Sequence, residues 1–232
     1  MSAGTGKHSD SAYKELEEKI VTLQIGAGQM VTEQELCTIS GFGRTPVREA
    51  VQKLERDLIV SVIPRRGVLI EPVDAQRALM TLDVRRRLEP FLTARAVQYA
   101  EEVQKWRFRD LSERMQATAE TGDTFEFMRL DRELNGQVAQ AARHDIACKM
   151  VFPLHAISRR IGYLFAIKKG RGPGEAVATH SALAEAIAAG DEAAAMAALE
   201  TTFDTSAHTA LQVEAMIKRG EIRPDVALSQ SA

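Results

Sequence analysis

A chain of 232 residues is longer than one ordinary domain and predicts two. Its 45% hydrophobic content is that of a globular protein, and its formal net charge of −2 excludes a nucleic-acid binder that works by bulk positive charge. Two cysteines, Cys37 and Cys148, give neither a zinc-ligand spacing nor a disulfide framework, so both are expected as reduced core thiols of a cytoplasmic protein. No apolar run approaches the ~18 residues of a membrane span, and the first residues lack the apolar stretch of a signal peptide.

Residues 1–10 are polar and rich in Gly and Ser, which predicts a disordered start. A first helix is expected over about 11–24, capped by Asp10 or Ser11, with Leu16, Ile20 and Leu23 inward. Thr32-Glu33-Gln34-Glu35 is a capping box and opens a short helix over 33–39 with Leu36 and Cys37 buried. Ser40-Gly41-Phe42-Gly43 then turns the chain. The next helix reads from Thr45 as N-cap, with Pro46 at the first helical position, where its missing N–H is of no consequence. Val47, Ala50, Val51 and Leu54 recur at i, i+3, i+4 and i+7 and so share a buried face. Arg44, Thr45, Arg48 and Gln52 are left outside. Taken alone, that pattern fits an amphipathic helix with a solvated charged face equally well.

The context decides between the two. Leu58–Ile63 is rich in β-branched residues, Pro64-Arg65-Arg66-Gly67 turns, and Val68–Glu71 returns. Helix, tight turn, helix and a basic hairpin make a winged helix-turn-helix over residues 11–73, whose second helix is shaped for the major groove of DNA. Residues 1–75 carry nine Lys or Arg against eleven Asp or Glu, but Arg44 to Gly67 carries six against three. Local placement of charge, not its total, therefore carries the DNA argument.

Gly41-Phe42-Gly43-Arg44-Thr45-Pro46-Val47-Arg48-Glu49-Ala50-Val51 and the wing Arg65-Arg66-Gly67 resemble the GntR family of bacterial transcription regulators. The resemblance implies that Arg44 and Arg48 contact bases and phosphates, and that Gly67 lets the wing backbone approach DNA. This chain departs from the family pattern at Gly43, where Ser is usual, at Ala27, where Pro is usual, and at Gln34, where Arg is often found.

Pro72-Val73-Asp74 marks the domain boundary. From 75 onward glycine, proline and polar clusters divide the chain into helices over about 75–101, 105–121, 124–142, 145–168, 175–189 and 191–218, and no strand is expected. Pro90 and Pro153 fall inside two of them, and 220–232 is expected as a loose tail. The fold class is mostly α: a winged helix-turn-helix followed by an all-α bundle over 75–219.

The pieces Leu82–Pro90 and Thr179–Ile187, followed by Gly190-Asp191, resemble the FCD effector-binding domain of the FadR-type branch of that family. The resemblance implies a ligand sensor that dimerises. In many such domains one Asp and three His hold a divalent metal. Asp131 and His180 match two of those positions, but Asn135 and Thr202 stand where the other two imidazoles belong. No resident cofactor is expected, and zinc or nickel remains an alternative through Asp131 and His180. Asp131, Asn135, His180 and Thr202 would instead line a polar pocket for an organic effector. Arg85 lies in the first motif and favours a carboxylate ligand if it reaches that pocket, or else forms an interhelical salt bridge. The remaining histidines, His8, His144, His155 and His208, read as surface or packing residues.

The chain is thus expected to be a ligand-responsive transcription repressor. It would act as a homodimer on a near-palindromic double-stranded DNA operator and sense a small, anionic metabolite. Two other classes stay open: an enzyme seated in the bundle, for which no nucleophile–base pair or phosphate loop is visible, and a protein-interaction module.

Overall fold

The computed structural model describes residues 3–170 and 172–227. They form two compact units: residues 3–74 with 215–227, and residues 75–170 with 172–214. No helix among the described residues is long and apolar enough to cross a membrane.

The first unit holds α1 (Ala3–Val21), β1 (Met30–Val31), α2 (Glu33–Ser40), α3 (Arg44–Arg56), β2 (Val60–Ile63) and β3 (Gly67–Ile70). Its start is helical from Ala3, not disordered to Asp10. Asp10 pairs with Lys53 of α3 at 2.5 Å, and Tyr13 donates to Asp57 at 2.5 Å. Leu16, Ile20 and Leu23 are fully buried, as their spacing requires.

α2 carries the expected capping box. The Thr32 hydroxyl accepts from the Glu35 N–H, the Glu35 carboxylate accepts from the Thr32 N–H, and Gly41 closes the helix in the left-handed region at φ 72°. α3 starts earlier than its sequence suggests. Gly43 is the N-cap, with no side-chain cap, so Thr45 and Pro46 lie inside the first turn, where a missing N–H still costs nothing. Val47, Ala50, Val51 and Leu54 are all buried.

The sheet has three antiparallel strands in the order β1-β3-β2, with Val62 opposite Val68 and Val31 also opposite Val68. β1 is two residues long, too short for any alternation to reveal. Gly67 sits where β1 and β3 meet. Its φ is +118°, and a Cβ there would stand 2.5 Å from the Val31 carbonyl oxygen, so only glycine fits. The glycine expected to open the wing to DNA is required by the sheet itself.

The expected loose tail is in part fixed. Ala27 N–H donates to the Val226 carbonyl and Val73 N–H to the Pro224 carbonyl, both at 2.8 Å, and Ile222 is buried. A Cβ on Gly26 would meet Ala227 at 2.5 Å, so the tail runs hard against that turn. Residues 222–227 therefore belong to the first unit, and 228–232 lie outside the described residues.

The second unit holds α4 (Ala75–Tyr99), α5 (Glu102–Thr121), α6 (Thr124–Ala142), α7 (Asp145–Lys169), α8 (Gly174–Ala189) and the greater part of α9 (Glu192–Lys218). No strand occurs among its described residues. Pro90 and Pro153 lie inside α4 and α7. α5 packs along α8, and α4 lies against both α6 and α7. Phe108, Phe127, Phe203 and Leu111 are fully buried between them. Cys148 is buried as expected, whereas Cys37 is only half-buried, and both are free.

Candidate functional site

Two regions bring the sequence-predicted residues together. The first is the outer face of α3 and the tip of the wing. Burying Val47, Ala50, Val51 and Leu54 leaves Arg44, Thr45, Arg48 and Gln52 exposed on the opposite side. The two arginines are held by α2. Arg48 Nε lies 2.7 Å from Glu33 Oε1, and Arg44 Nη2 donates to Gln34 Oε1 at 3.3 Å. Gln34, the departure from the family's frequent Arg, thus serves as an acceptor for Arg44.

At the wing tip Arg66 N–H donates to the Ile63 carbonyl at 3.0 Å, closing a four-residue turn. Pro64 takes the second position and Arg65, at φ 64°, the third. A turn with that sign usually places Gly or Asn third, because an L side chain is strained there. Here an arginine takes the strain and is exposed at the tip beside Arg66.

The second region is a chamber of about 70 Å³ in the second unit, lined by Arg85 of α4, Asp131 and Asn135 of α6, His155 and Arg159 of α7, and His180 of α8, among others. It has room for several waters or a small molecule, since one water needs roughly 10–15 Å³. An adjoining cavity of about 650 Å³ shares Phe127, Met128, Gly162, Ala176, Thr205 and Thr209 with it.

Helical spacing places Asn135 one turn after Asp131, and its amide donates to Asp131 Oδ1 at 2.8 Å. His180 Nδ1 stands 2.7 Å from the Ala176 carbonyl, so it donates there, and Nε2 is turned toward Asp131 Oδ1 at 3.5 Å. Thr202 is not part of this wall. Its hydroxyl donates to Ala198 within α9, and Thr205, Ser206, Thr209 and Ala210, beginning one turn further on, line the chamber instead.

Arg85 reaches the chamber but is already engaged. It pairs with Glu89 through Nε at 2.5 Å and Nη2 at 3.3 Å, and its Nη1 donates to Ser158 at 2.9 Å. Glu89 also meets His155 Nε2 at 2.7 Å. Burial alone would raise the Glu89 carboxyl, but the Arg85 guanidinium and His155 outweigh it and hold it at about 2. Burial pushes His155 down, and Glu89 does not fully offset that. A neutral imidazole on an ionised carboxylate results. No local motif marks His155. The one available signal was Glu89 at i+4 from Arg85, which predicts the ion pair but not its third member.

A resident metal does not fit. Asp131 and His180 supply one carboxylate and one imidazole, with an amide in third place. Among the described residues no group of three or more His, Cys, Asp or Glu is placed to hold an ion.

A recognition helix with an outward arginine face, a basic wing and a separate all-α unit define a winged-helix DNA-binding protein with an appended helical domain. The comparisons with known proteins agree. Residues 8–70 match the model of the bacterial regulatory proteins of the gntR family, and residues 80–205 match the FCD domain. The chain belongs to the GntR family of DNA-binding transcription regulators, in the group that carries an FCD domain. Over 152 residues it is 24% identical to the HTH-type transcriptional repressor RspR of Escherichia coli K12, covering 66% of this chain and 67% of that one. An HTH-type regulator of Streptomyces ambofaciens is 32% identical over 77 residues, which span 33% of each protein. Among solved structures, E. coli McbR/YncC superposes with a TM-score of 0.70 at 19% identity, covering 93% of this chain and 99% of that one. A GntR-type regulator from Rhodococcus sp. RHA1 gives 0.64 at 18% identity, covering 89% and 98%. At these identities the superpositions speak for the fold alone.

Proposed function

We propose that the chain is a ligand-responsive repressor that binds its operator as a homodimer. The observation that carries the DNA half is the exposed Arg44 and Arg48 face of α3 in the same unit as the Arg65-Arg66 wing tip. In this reading Arg48 reads base edges, Arg44 and Gln52 flank it in the major groove, and Arg65 and Arg66 neutralise phosphates. Thr45, in the first turn of α3, lies within reach of the backbone. Gly67 acts indirectly, by letting β3 pair with β1.

The sensing half rests on the chamber. Charged and polar side chains from five helices, α4 and α6 to α9, line it, the kind of wall that orients a small polar ligand. In this reading Asp131, Asn135, His180 and Arg85 contact the effector, with Thr205 and Thr209 in the place of Thr202. α9 carries Thr205 and Thr209 and continues without a break to Lys218. An effector that favours one arrangement of that helix would bias DNA binding, provided it binds that arrangement better than the other.

The homodimer reading is supported by an apolar stripe on the second unit. Met80, Val84 and Phe91 of α4 and Ile146 and Met150 of α7 are 45–67% exposed. Phe91 meets His144, the N-cap of α7, edge-on at 5.0 Å, so the two helices touch at that point. Large adjacent apolar side chains left in water are the mark of a protein interface, and a second copy of the same stripe is self-complementary.

Selection of genomic fragments with the purified protein, followed by gel shift with and without small organic acids and polyols, tests the whole reading. A sequence-selective shift weakened by one of the small molecules is expected. The absence of any selective shift would contradict it. Light scattering on Phe91→Glu should give monomers where the wild type gives dimers, and a dimeric variant would remove the stripe from the interface.

A further inference from the structure

We infer that the chamber and the cavity beside it form one effector site joined at Gly162, and that its ligand is amphipathic. A compact polar head enters the chamber, and an apolar body, an aromatic ring or short alkyl chain, fills the outer cavity. The inference rests on the reading of the chamber as the effector site.

Gly162 lies in the interior of α7, where glycine disfavours a helix relative to alanine. Its backbone does not ask for glycine, because its φ is not positive. Packing does not ask for it either. Beyond its own helix, a Cβ at Gly162 would meet only the Met128 methyl within 4 Å, at 3.7 Å, an ordinary contact. Gly162 and Met128 each line both the chamber and the outer cavity. The side chain that glycine omits is therefore missing from the wall the two spaces share. Phe127, Ala176, Thr205 and Thr209 complete that wall.

The two spaces differ in size and chemistry. The chamber, about 70 Å³, holds a head group and little more, and Arg85, Asp131, Asn135 and His180 make its wall polar. The outer cavity, about 650 Å³, falls within the roughly 300–1,000 Å³ of small-molecule pockets. Phe127, Met128, Phe165 and Ala166 give it an apolar face. Its Lys169 and Glu175 side chains are opposite in charge and exposed, and Lys169 Nζ stands 5.8 Å from the centre of the Phe165 ring. What the outer cavity offers a ligand is therefore apolar surface taken out of water. Phe127 meets His180 edge-on at 5.5 Å, so the apolar face passes directly into the polar wall.

The test uses the full chain and matched probes that share a head and differ in body: acetate against phenylacetate, ethanol against 2-phenylethanol, and ethylamine against 2-phenylethylamine. Three heads are used so that the charge of the head is left to the experiment. Binding is followed by the carbon-13 methyl resonance of Met128, assigned with Met128→Leu. In at least one pair the phenyl member should bind on the order of tenfold tighter or more, as burial of a ring predicts, and should shift that resonance. Gly162→Leu fills the shared wall. It should erase the advantage of the phenyl member while raising the urea midpoint, and Gly162→Ala should do both to a smaller degree. Gly136→Ala is the control. Gly136 also lies inside a helix, α6, with nothing within 4 Å of its Cβ position, and lines neither space. This variant should gain stability and bind like the wild type. Gly162 variants that are less stable than the wild type, or that keep its preference for the phenyl probe, would overturn the assignment. Equal binding within every pair, with the Met128 resonance moved, would overturn the two-part site and leave the chamber as an effector site. No binding by any probe would overturn the inference and the chamber reading together.

Discussion

Arg48 Nε lies 2.7 Å from Glu33 Oε1, so the guanidinium proposed to read DNA is already engaged by the first turn of α2. The pair is largely exposed on the arginine side, and exposed pairs are worth roughly 0.2–1 kcal/mol. On that proposal DNA must displace or share this contact. Glu33→Gln should therefore tighten DNA binding, by about 1 kcal/mol at most. Fluorescence anisotropy at a fixed salt concentration measures it, and unchanged or weaker binding would show that Glu33 orients Arg48 instead of competing for it.

Arg65 takes the left-handed position of the wing turn at φ 64°, where an L residue costs about 1–2 kcal/mol. Arg65→Gly should relieve part of that strain and leave stability equal or slightly higher. It should also weaken binding to all sequences alike and lower the slope of log K against log salt by about one. Chemical denaturation and a salt titration check the two halves. A loss confined to one operator sequence would assign Arg65 to base reading.

The cluster of Arg85, Glu89 and His155 makes stability depend on pH. Glu89 is held at about 2 against an ordinary 4.5, so its contribution is complete above about 4.5 and is lost as pH falls toward 2. His155 is pushed down from 6.5, so below that pH the unfolded chain takes up a proton that the folded chain does not. Both effects act in one direction. The urea midpoint should fall continuously on acidification from about 6.5. Glu89→Gln should remove the lower part of that fall and cost about 3–5 kcal/mol at neutral pH by leaving Arg85 buried without its partner. A flat profile between 6.5 and 4.5 would contradict the neutral assignment of His155.

The tail offers an independent check. Deleting residues 222–232 removes the acceptors of the Ala27 and Val73 amides, both on buried residues. Each orphaned donor costs about 1–3 kcal/mol. Hydrogen exchange at these two amides should accelerate strongly in the truncated protein while the amides of α6 keep their protection. Unchanged exchange at Ala27 would mean that the strap is not formed in solution.

Much of the winged unit is legible in its residues because the signals are local. The capping box of α2 and the buried face of α3 each follow from side chains within one or two helical turns. What escaped was long-range or very short. β1 has two residues and exists only because Gly67 lets β3 approach Val31. The α3 cap moved to Gly43 because that residue's extended backbone suffices without a side-chain acceptor. The tail is held by backbone groups that its sequence does not single out. In the second unit the motif positions Asp131, Asn135 and His180 did converge, whereas Thr202 fell one turn short, since a family spacing fixes height along a helix less well than its face. His155 had no motif at all, and its place follows from tertiary packing against Glu89.

The most direct test of the account is Arg48→Ala against a selected operator and a scrambled duplex. If Arg48 reads a base, the variant should lose about 1–3 kcal/mol on the operator, little on the scrambled duplex, and show relaxed preference at one base pair of each half-site. An operator affinity and footprint identical to the wild type would contradict the claim that the outer face of α3 reads DNA.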